Sequence, residues 1–162
     1  MDVSLLHDFA CYTTEGVVSE IKNHFSKQKI ETAIISGSLI IATPDPPAIR
    51  EVKAVAQKTG DLPFLSTTDI DLIALAITLR NDTCVQQNNS PSNDALQVVT
   101  DDYSIQNVLS QFNISVHPFM QKGINQYIRW LIYCPLCKKT FKPNTVILCP
   151  ECEIQLKRRP IE

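Results

Sequence analysis

The chain has 162 residues, 44% hydrophobic and 20% charged, which is the balance of an ordinary globular protein long enough for one full domain and a small module. No apolar run approaches the ~20 residues of a bilayer span, and Met1-Asp2-Val3-Ser4 lacks the basic start of a signal peptide, so a cytoplasmic protein with no membrane association is expected. The formal net charge of -2 conceals a division: residues 1–118 hold 14 Asp and Glu against 7 Lys and Arg, whereas residues 119–162 hold 3 against 8. An acidic body with a basic tail suits metal binding in one part and polyanion binding in the other, and two solvated surfaces of different sign fit the charge equally well.

In chain order, a short apolar stretch, Val3–Leu6, comes first. Thr13-Thr14 can cap a helix whose Val17, Val18, Ile21 and Phe25 form one apolar face. A second helix is expected over Ile30–Ile35, ended by Gly37 before a strand Leu39–Ala42. Pro46-Pro47 opens a helix Ala48–Lys58 that Gly60 closes. The next helix, Thr67 to about Arg80, is apolar around most of its circumference and is expected to be central. Gln86–Asp94 reads as a surface loop, followed by a strand Leu96–Thr100, a helix Tyr103–Phe112 and a strand Ile114–Val116. Helices alternating with short apolar strands imply an α/β protein with a parallel sheet covered on both faces, and ligand sites beyond the carboxyl ends of its strands. From Gly123 onward the alternation stops, and Ile128–Tyr133 leads into a cysteine-rich end.

Carboxylates cluster where buried elements begin and end. Asp69 and Asp71 stand in the first turn of the apolar helix, Asp101 and Asp102 follow the strand Leu96–Thr100, and Asp2 and Glu20 lie in two further segments. Acidic groups brought together repel unless a cation lies between them, so one carboxylate from each segment can hold Mg²⁺ or Mn²⁺ and support phosphodiester hydrolysis. Such chemistry needs no nucleophilic Ser or Cys, and His7, His24 and His117 occupy no obvious site. Each carboxylate also has an ordinary use: Asp69 can close a capping box with Ser66, Asp102 can cap the next helix, and Glu20 and Asp71 can face solvent.

Cys11 and Cys84 are isolated, but Cys134-Pro-Leu-Cys137 and Cys149-Pro-Glu-Cys152 make a C-x₂-C-x₁₁-C-x₂-C array. That spacing implies one structural Zn²⁺ in a zinc ribbon, whose stability would come largely from the metal. A redox role would need one pair beside a βαβ unit and leaves the second pair unexplained. Many ribbons place Gly after each pair; Lys138 and Glu153 stand there, so slightly strained turns are expected. Lys138, Lys139, Lys142, Lys157, Arg158 and Arg159 surround the array, and with Trp130, Tyr133 and Phe141 they are candidates for RNA contact. Trp130 is expected between the two parts of the chain.

Several motifs carry a resemblance over nearly the whole chain. They are Tyr12-Thr13-Thr14 with Val17-Val18-Ser19-Glu20-Ile21, the stretch Lys58–Ala76 containing Gly60-Asp61-Leu62-Pro63 and Ser66-Thr67-Thr68-Asp69-Ile70-Asp71, Val99–Val108, and Gly123-Ile124 before Trp130 and the cysteines. In this order they resemble the archaeal Nin-one-binding ribosome-maturation endoribonucleases, which join a PIN domain to a zinc ribbon. The resemblance implies a PIN-type α/β/α sandwich with a central parallel sheet over residues 1–118, a linker over 119–130 and a zinc ribbon with a basic tail over 131–162. It implies divalent-metal-dependent cutting of single-stranded precursor ribosomal RNA at the 3′ end of the small-subunit rRNA. The partners would be that RNA and the pre-ribosomal particle, with no nucleotide cofactor. By motif position the catalytic acids would be Asp2 (supported by Ser4), Glu20, Asp69 and one residue of Thr100-Asp101-Asp102. The Thr-x-Asp pattern favours Asp102, with Thr100 in support and Asp101 as second choice. The family precedes its first Asp with an apolar strand, whereas only Met1 precedes Asp2, so a truncated first strand is expected; Asp8 is a rival that lacks the following Ser.

Two other functions are compatible with the residues. A non-cleaving RNA- or ribosome-binding assembly factor fits if the acidic site is incomplete, and a toxin-type PIN ribonuclease fits the body but not a ribbon at Cys134–Cys152.

Overall fold

The computed structural model describes residues 10–86, 96–119, 128–142 and 147–161. The expected stretch Val3–Leu6, Asp2, Ser4, His7, Asp8 and most of the Gln86–Asp94 loop lie outside these residues.

The body begins with strand β1 (Cys11–Thr13), which the sequence pattern does not announce, and passes at once into helix α1 (Glu15–Ser19). Thr14 caps α1 as expected, its hydroxyl accepting from Val17 N–H at 3.5 Å. The single helix anticipated from Thr14 to Phe25 is instead two. Asn23 caps a new helix, α2 (His24–Ile35), accepting from Ser26 N–H at 3.2 Å, and a capping side chain of this kind favours a fresh start over continuation. Phe25 therefore leaves the apolar face assigned to it and is 76% exposed. Beyond α2, Gly37 takes φ 74°, a left-handed conformation that glycine adopts without a Cβ clash, and the chain turns into β2 (Leu39–Ile41).

Helix α3 (Pro46–Thr59) starts on its proline pair and stops at Gly60, φ 83°. Val52 and Ala56 are fully buried on its inner face. A 3₁₀ turn, Leu62–Phe64, then leads to α4 (Thr67–Gln86), whose buried run Ile73–Thr78 makes it the central helix. Strand β3 (Gln97–Val99), helix α5 (Tyr103–Gln111) and strand β4 (Ser115–His117) complete the body. The strands pair in parallel, β1 with β2 and β3 with β4, each with three residues in register. Among the described residues these are two separate pairs. One core unites α3, α4, α5 and the β3–β4 pair around Val52, Ile73, Ile77, Val108 and Leu109.

A second, smaller core lies in the C-terminal module. Strands β5 (Trp130–Tyr133), β6 (Thr140–Phe141) and β7 (Lys157–Pro160) form an antiparallel sheet in the order β6-β5-β7. Ile132 and Leu156 pack there against Cys134 and Cys149. So few apolar residues supply little stability without a cross-link or a metal.

The module is fastened to the body through a buried polar junction. Asp61, just past the C-cap of α3, has no solvent exposure, and its carboxylate accepts from Arg158 Nη1 of β7 at 2.8 Å and from Asn107 Nδ2 of α5 at 2.7 Å. Arg158 also donates through Nη2 to Ser104 Oγ at 2.8 Å, and its guanidinium lies 4.1 Å from the ring centre of Phe64 and 4.3 Å from that of Trp130. Asn107 turns its remaining polar groups to Ile128, accepting from its N–H at 2.7 Å and donating to its carbonyl at 2.8 Å. It thereby bonds the residue two before β5 much as a neighbouring strand would. Burial pushes the Asp61 carboxyl above its ordinary value, while Thr59, Asn107 and Arg158 pull it down. Trp130 occupies the junction, as expected from the sequence; its indole helps hold the Asp61 carboxyl down, although its buried Nε1 makes no hydrogen bond of ordinary geometry among the described residues.

Candidate functional site

Three helices carry the carboxylates and hydroxyls that the sequence singles out, with Glu20 at the C-cap of α1 and Asp69 and Asp102 at the N-termini of α4 and α5. At the first, α1 leaves β1 and runs against the first turn of α4. The approach is close because residue 16 is glycine: a Cβ there would lie 3.0 Å from Thr68 Oγ1 and 3.1 Å from its methyl carbon. Glu20 is the exposed C-cap of this short helix, its N–H bonded to Gly16 O at 3.2 Å.

At the second, Asp69 closes a reciprocal capping box with Ser66. Its Oδ2 accepts from Ser66 N–H and Oγ–H, both at 2.8 Å, and Ser66 Oγ accepts from Asp69 N–H at 3.1 Å. Both bonds to the carboxylate use Oδ2, so the cap does not consume Oδ1. Asp71 is half-buried on another side of α4.

At the third, Asp102 caps α5, its Oδ1 accepting from Ser104 N–H at 2.6 Å and Ile105 N–H at 3.3 Å. Thr100 supports it, accepting from Asp102 N–H through Oγ1 at 3.2 Å. Asp101 points elsewhere: its Oδ1 accepts from Phe119 N–H at 2.8 Å, joining the end of β3 to the chain beyond β4. A carboxylate at a helix N-terminus is favoured by the helix dipole and by its unsatisfied N–H groups, which accounts for Asp69 and Asp102 without a metal. The carboxylates of Glu20, Asp69, Asp101 and Asp102 do not, by themselves, gather into a group of three or more that could share an ion. Asp2 and Ser4 lie outside the described residues.

The cysteines do gather. The four Sγ atoms of Cys134, Cys137, Cys149 and Cys152 lie within 4.8 Å of one another, and those of Cys137 and Cys149 are 3.7 Å apart. Four thiolates ~2.3 Å from a common tetrahedral centre would be roughly 3.8 Å apart, so the set fits a metal ion. The two knuckles repeat the same backbone pattern. Lys138 N–H bonds Cys134 O and Cys134 N–H bonds Lys139 O; Glu153 N–H bonds Cys149 O and Cys149 N–H bonds Ile154 O. This closure requires a left-handed residue after each pair, and Lys138 (φ 63°) and Glu153 (φ 55°) supply it. Burial acts to raise the Cys134 thiol, but N–H groups of Cys137 and Leu136 overcome it and bring the value down to about 7. Burial and the neighbouring sulfurs push Cys152 up to about 12. Such divergence is expected of crowded thiols that cannot all ionise without a cation.

The basic residues around the module differ in their commitments. Arg158 serves the buried junction, Arg159 lies 5.7 Å from the Tyr133 ring centre, and Lys139 pairs with Glu151 on the surface. Lys138, Lys142 and Lys157 are exposed. Asp61 and Asn107 are central polar residues that the sequence reading did not assign. Gly60-Asp61 looks like a turn, and Asn107 like one polar position of a helix; the only available hint was their presence in the two long motifs.

Comparison with known proteins decides the family. Residues 5–79 match the PIN domain of ribonuclease family. Endoribonuclease Nob1 of Pyrococcus abyssi is 32% identical over 156 residues, 94% of this chain and 86% of that protein. The chain belongs to the Nob1 endoribonuclease family. Endoribonuclease Nob1 of Methanothermobacter thermautotrophicus is likewise 32% identical, over 88% of this chain and 76% of its own length. Ribonuclease VapC1 of Thermoplasma acidophilum is 37% identical over 88% of this chain and 64% of its own. The first of these matches spans almost the whole chain, the PIN body and the cysteine-rich end together, and the chain is an endoribonuclease by descent. Among the described residues no helix is long and apolar enough to cross a membrane.

The left-handed knuckle positions give a direct test of local strain. An L-residue in this region costs ~1–2 kcal/mol, part of which glycine recovers and part of which its extra unfolded-state freedom offsets. Lys138→Gly is therefore expected to raise the stability of the metal-loaded protein by roughly 0.5–1 kcal/mol in urea unfolding, and a loss of stability would contradict the strain.

Proposed function

We propose that this Nob1-family protein is a divalent-metal-dependent endoribonuclease that cuts single-stranded precursor RNA at the 3′ end of the small-subunit rRNA, within a pre-ribosomal particle in the cytoplasm. The observation that carries the reading is the match to two Nob1 endoribonucleases across most of both chains, together with motif carboxylates at the N-termini of α4 and α5. Residues 1–118 would form the nuclease, 119–130 the linker and 131–162 the ribbon.

In this reading Glu20, Asp69 and Asp102, with Asp2 from the N-terminal segment, hold Mg²⁺ or Mn²⁺, and Asp101 is the second choice for the fourth position. When bound, the ion supplies an activated water and neutralises the departing oxygen. The protein's own part is to fix the carboxylates in place. Ser66 and the α4 N-terminus hold Asp69 by one oxygen, and Thr100 and the α5 N-terminus hold Asp102. Carboxylates locked by caps need little reorganisation as charge develops. Lys138, Lys139, Lys142, Lys157 and Arg159 would contact RNA phosphates, with Arg158 acting from the junction. A non-cleaving assembly factor is the second reading, favoured by the absence of a three-carboxylate cluster among the described residues.

Asp69→Asn separates the two. Asparagine retains a capping oxygen, so the fold should hold within ~1 kcal/mol, while loss of the charge should slow Mn²⁺-dependent cutting of RNA spanning the small-subunit 3′ end by ~100-fold or more, equivalent to about 2.7 kcal/mol of barrier. Equal cutting by variant and wild type would overturn the carboxylate mechanism; RNA bound but uncut by wild type would establish the assembly factor.

For the cysteine cluster we infer one structural Zn²⁺, because four thiolates with no open position suit a closed zinc site. Metal analysis of gently purified protein should find about one zinc per chain, lost in Cys149→Ser together with the β5–β7 sheet signals. A metal-free but folded module would refute it.

A further inference from the structure

A cleft of about 350 Å³ opens between the C-terminal end of α3 and the sheet of the C-terminal module. Among the described residues three cations border it, Lys58 from α3 and Arg129 and Lys142 from the module, and no carboxylate does. Trp130 and Phe141 supply aromatic surface. Lys58 and Arg129 are exposed and take part in no ion pair among the described residues. Lys58 sits in the last turn of α3, where its charge offsets the carbonyl end of the helix dipole. The other acidic group at this junction, Asp61, is already matched by Arg158.

We propose that this cleft is a binding site for one nucleotide of a single-stranded RNA, with Lys58 and Arg129 on the phosphate and Trp130 and Phe141 against the base. The inference rests on the endoribonuclease reading for the class of ligand and adds a place on the protein where the strand is held. The volume is at the small end of ligand sites, ~300–1,000 Å³, and suits a base with its phosphate. A mixed lining of cations and aromatic rings suits a charged, flat ligand, and base stacking tolerates any sequence. The site spans both parts of the chain, and its two banks are fixed relative to each other by the Arg158–Asp61 junction, whose Trp130 ring is also a wall of the cleft. A preformed cleft avoids the ordering cost that a flexible tail would incur on binding.

The test uses the zinc-loaded full chain and a labelled single-stranded RNA of about ten nucleotides, within the usual range of site sizes. Binding is followed by anisotropy at several salt concentrations without added Mg²⁺ or Mn²⁺. Trp130 is the sole tryptophan, so its emission reports on the cleft directly. Lys58→Gln and Arg129→Gln should each weaken binding roughly 3- to 10-fold and lower the log–log salt slope by ~0.7, with Lys27→Gln in α2 nearly unchanged, and RNA should alter Trp130 emission. Binding without a change in emission, neutralised variants no weaker than Lys27→Gln, or no binding by wild type would overturn the proposal. Binding that meets these criteria in a protein that cuts no RNA with Mn²⁺ would support the cleft and overturn the nuclease reading, so the two fail separately.

Discussion

The fold depends on one buried charge. Asp61 has no solvent exposure, and a carboxylate removed from water costs several kcal/mol unless an opposite charge and hydrogen bonds replace the lost solvation. Its own part of the chain provides Asn107 as a donor and a nearby Thr59 that helps hold the carboxyl down, but the cation comes from Arg158, 97 residues later. The body is thus built with a polar vacancy that, among the described residues, Arg158 of the C-terminal sheet fills. Docking of that sheet is a condition of low energy for both parts, and the stacking of Arg158 between Phe64 and Trp130 adds direction to what charge alone would leave loose.

The cysteine cluster stands behind that junction. Arg158 is aimed by β7, β7 pairs with β5, and β5 runs into Cys134 of the first knuckle. The module's apolar core is too small to hold this sheet by itself. A metal bound by the four thiolates would order the knuckles, and the knuckles the strands that place Arg158. Metal loading and the fixing of the ribbon against the body are in this sense one equilibrium. The cleft beside Trp130 inherits its shape from the same chain of contacts.

What could be read from the sequence was what depends on neighbours in the chain. The proline pair at Pro46-Pro47, the glycines at Gly37 and Gly60, the capping box of Ser66 with Asp69 and the cap at Asp102 all act within a few residues, and each appears as expected. The C-x₂-C spacing likewise carries its own geometry. The break between α1 and α2 was missed because Val17, Val18, Ile21 and Phe25 keep a helical period, and the cap at Asn23 outweighs it. Asp61 and Asn107 were beyond reach for a different reason. Their partners are 97, 46 and 21 residues away, and a polar residue gives no sign in sequence that it is buried and paired. Arg158 looked like one more cation in a basic tail, and only the structure distinguishes it from Arg159 beside it.

The most direct test is a double-mutant cycle on Asp61→Asn and Arg158→Met, measured by urea unfolding of the metal-loaded chain with Trp130 emission as the probe. Each single change strands a buried polar partner and is expected to cost ~3–5 kcal/mol. The double variant should cost less than the sum by ~2 kcal/mol or more, because removing both partners leaves no uncompensated charge. Costs that add within ~0.5 kcal/mol would contradict a fold held together by this pair.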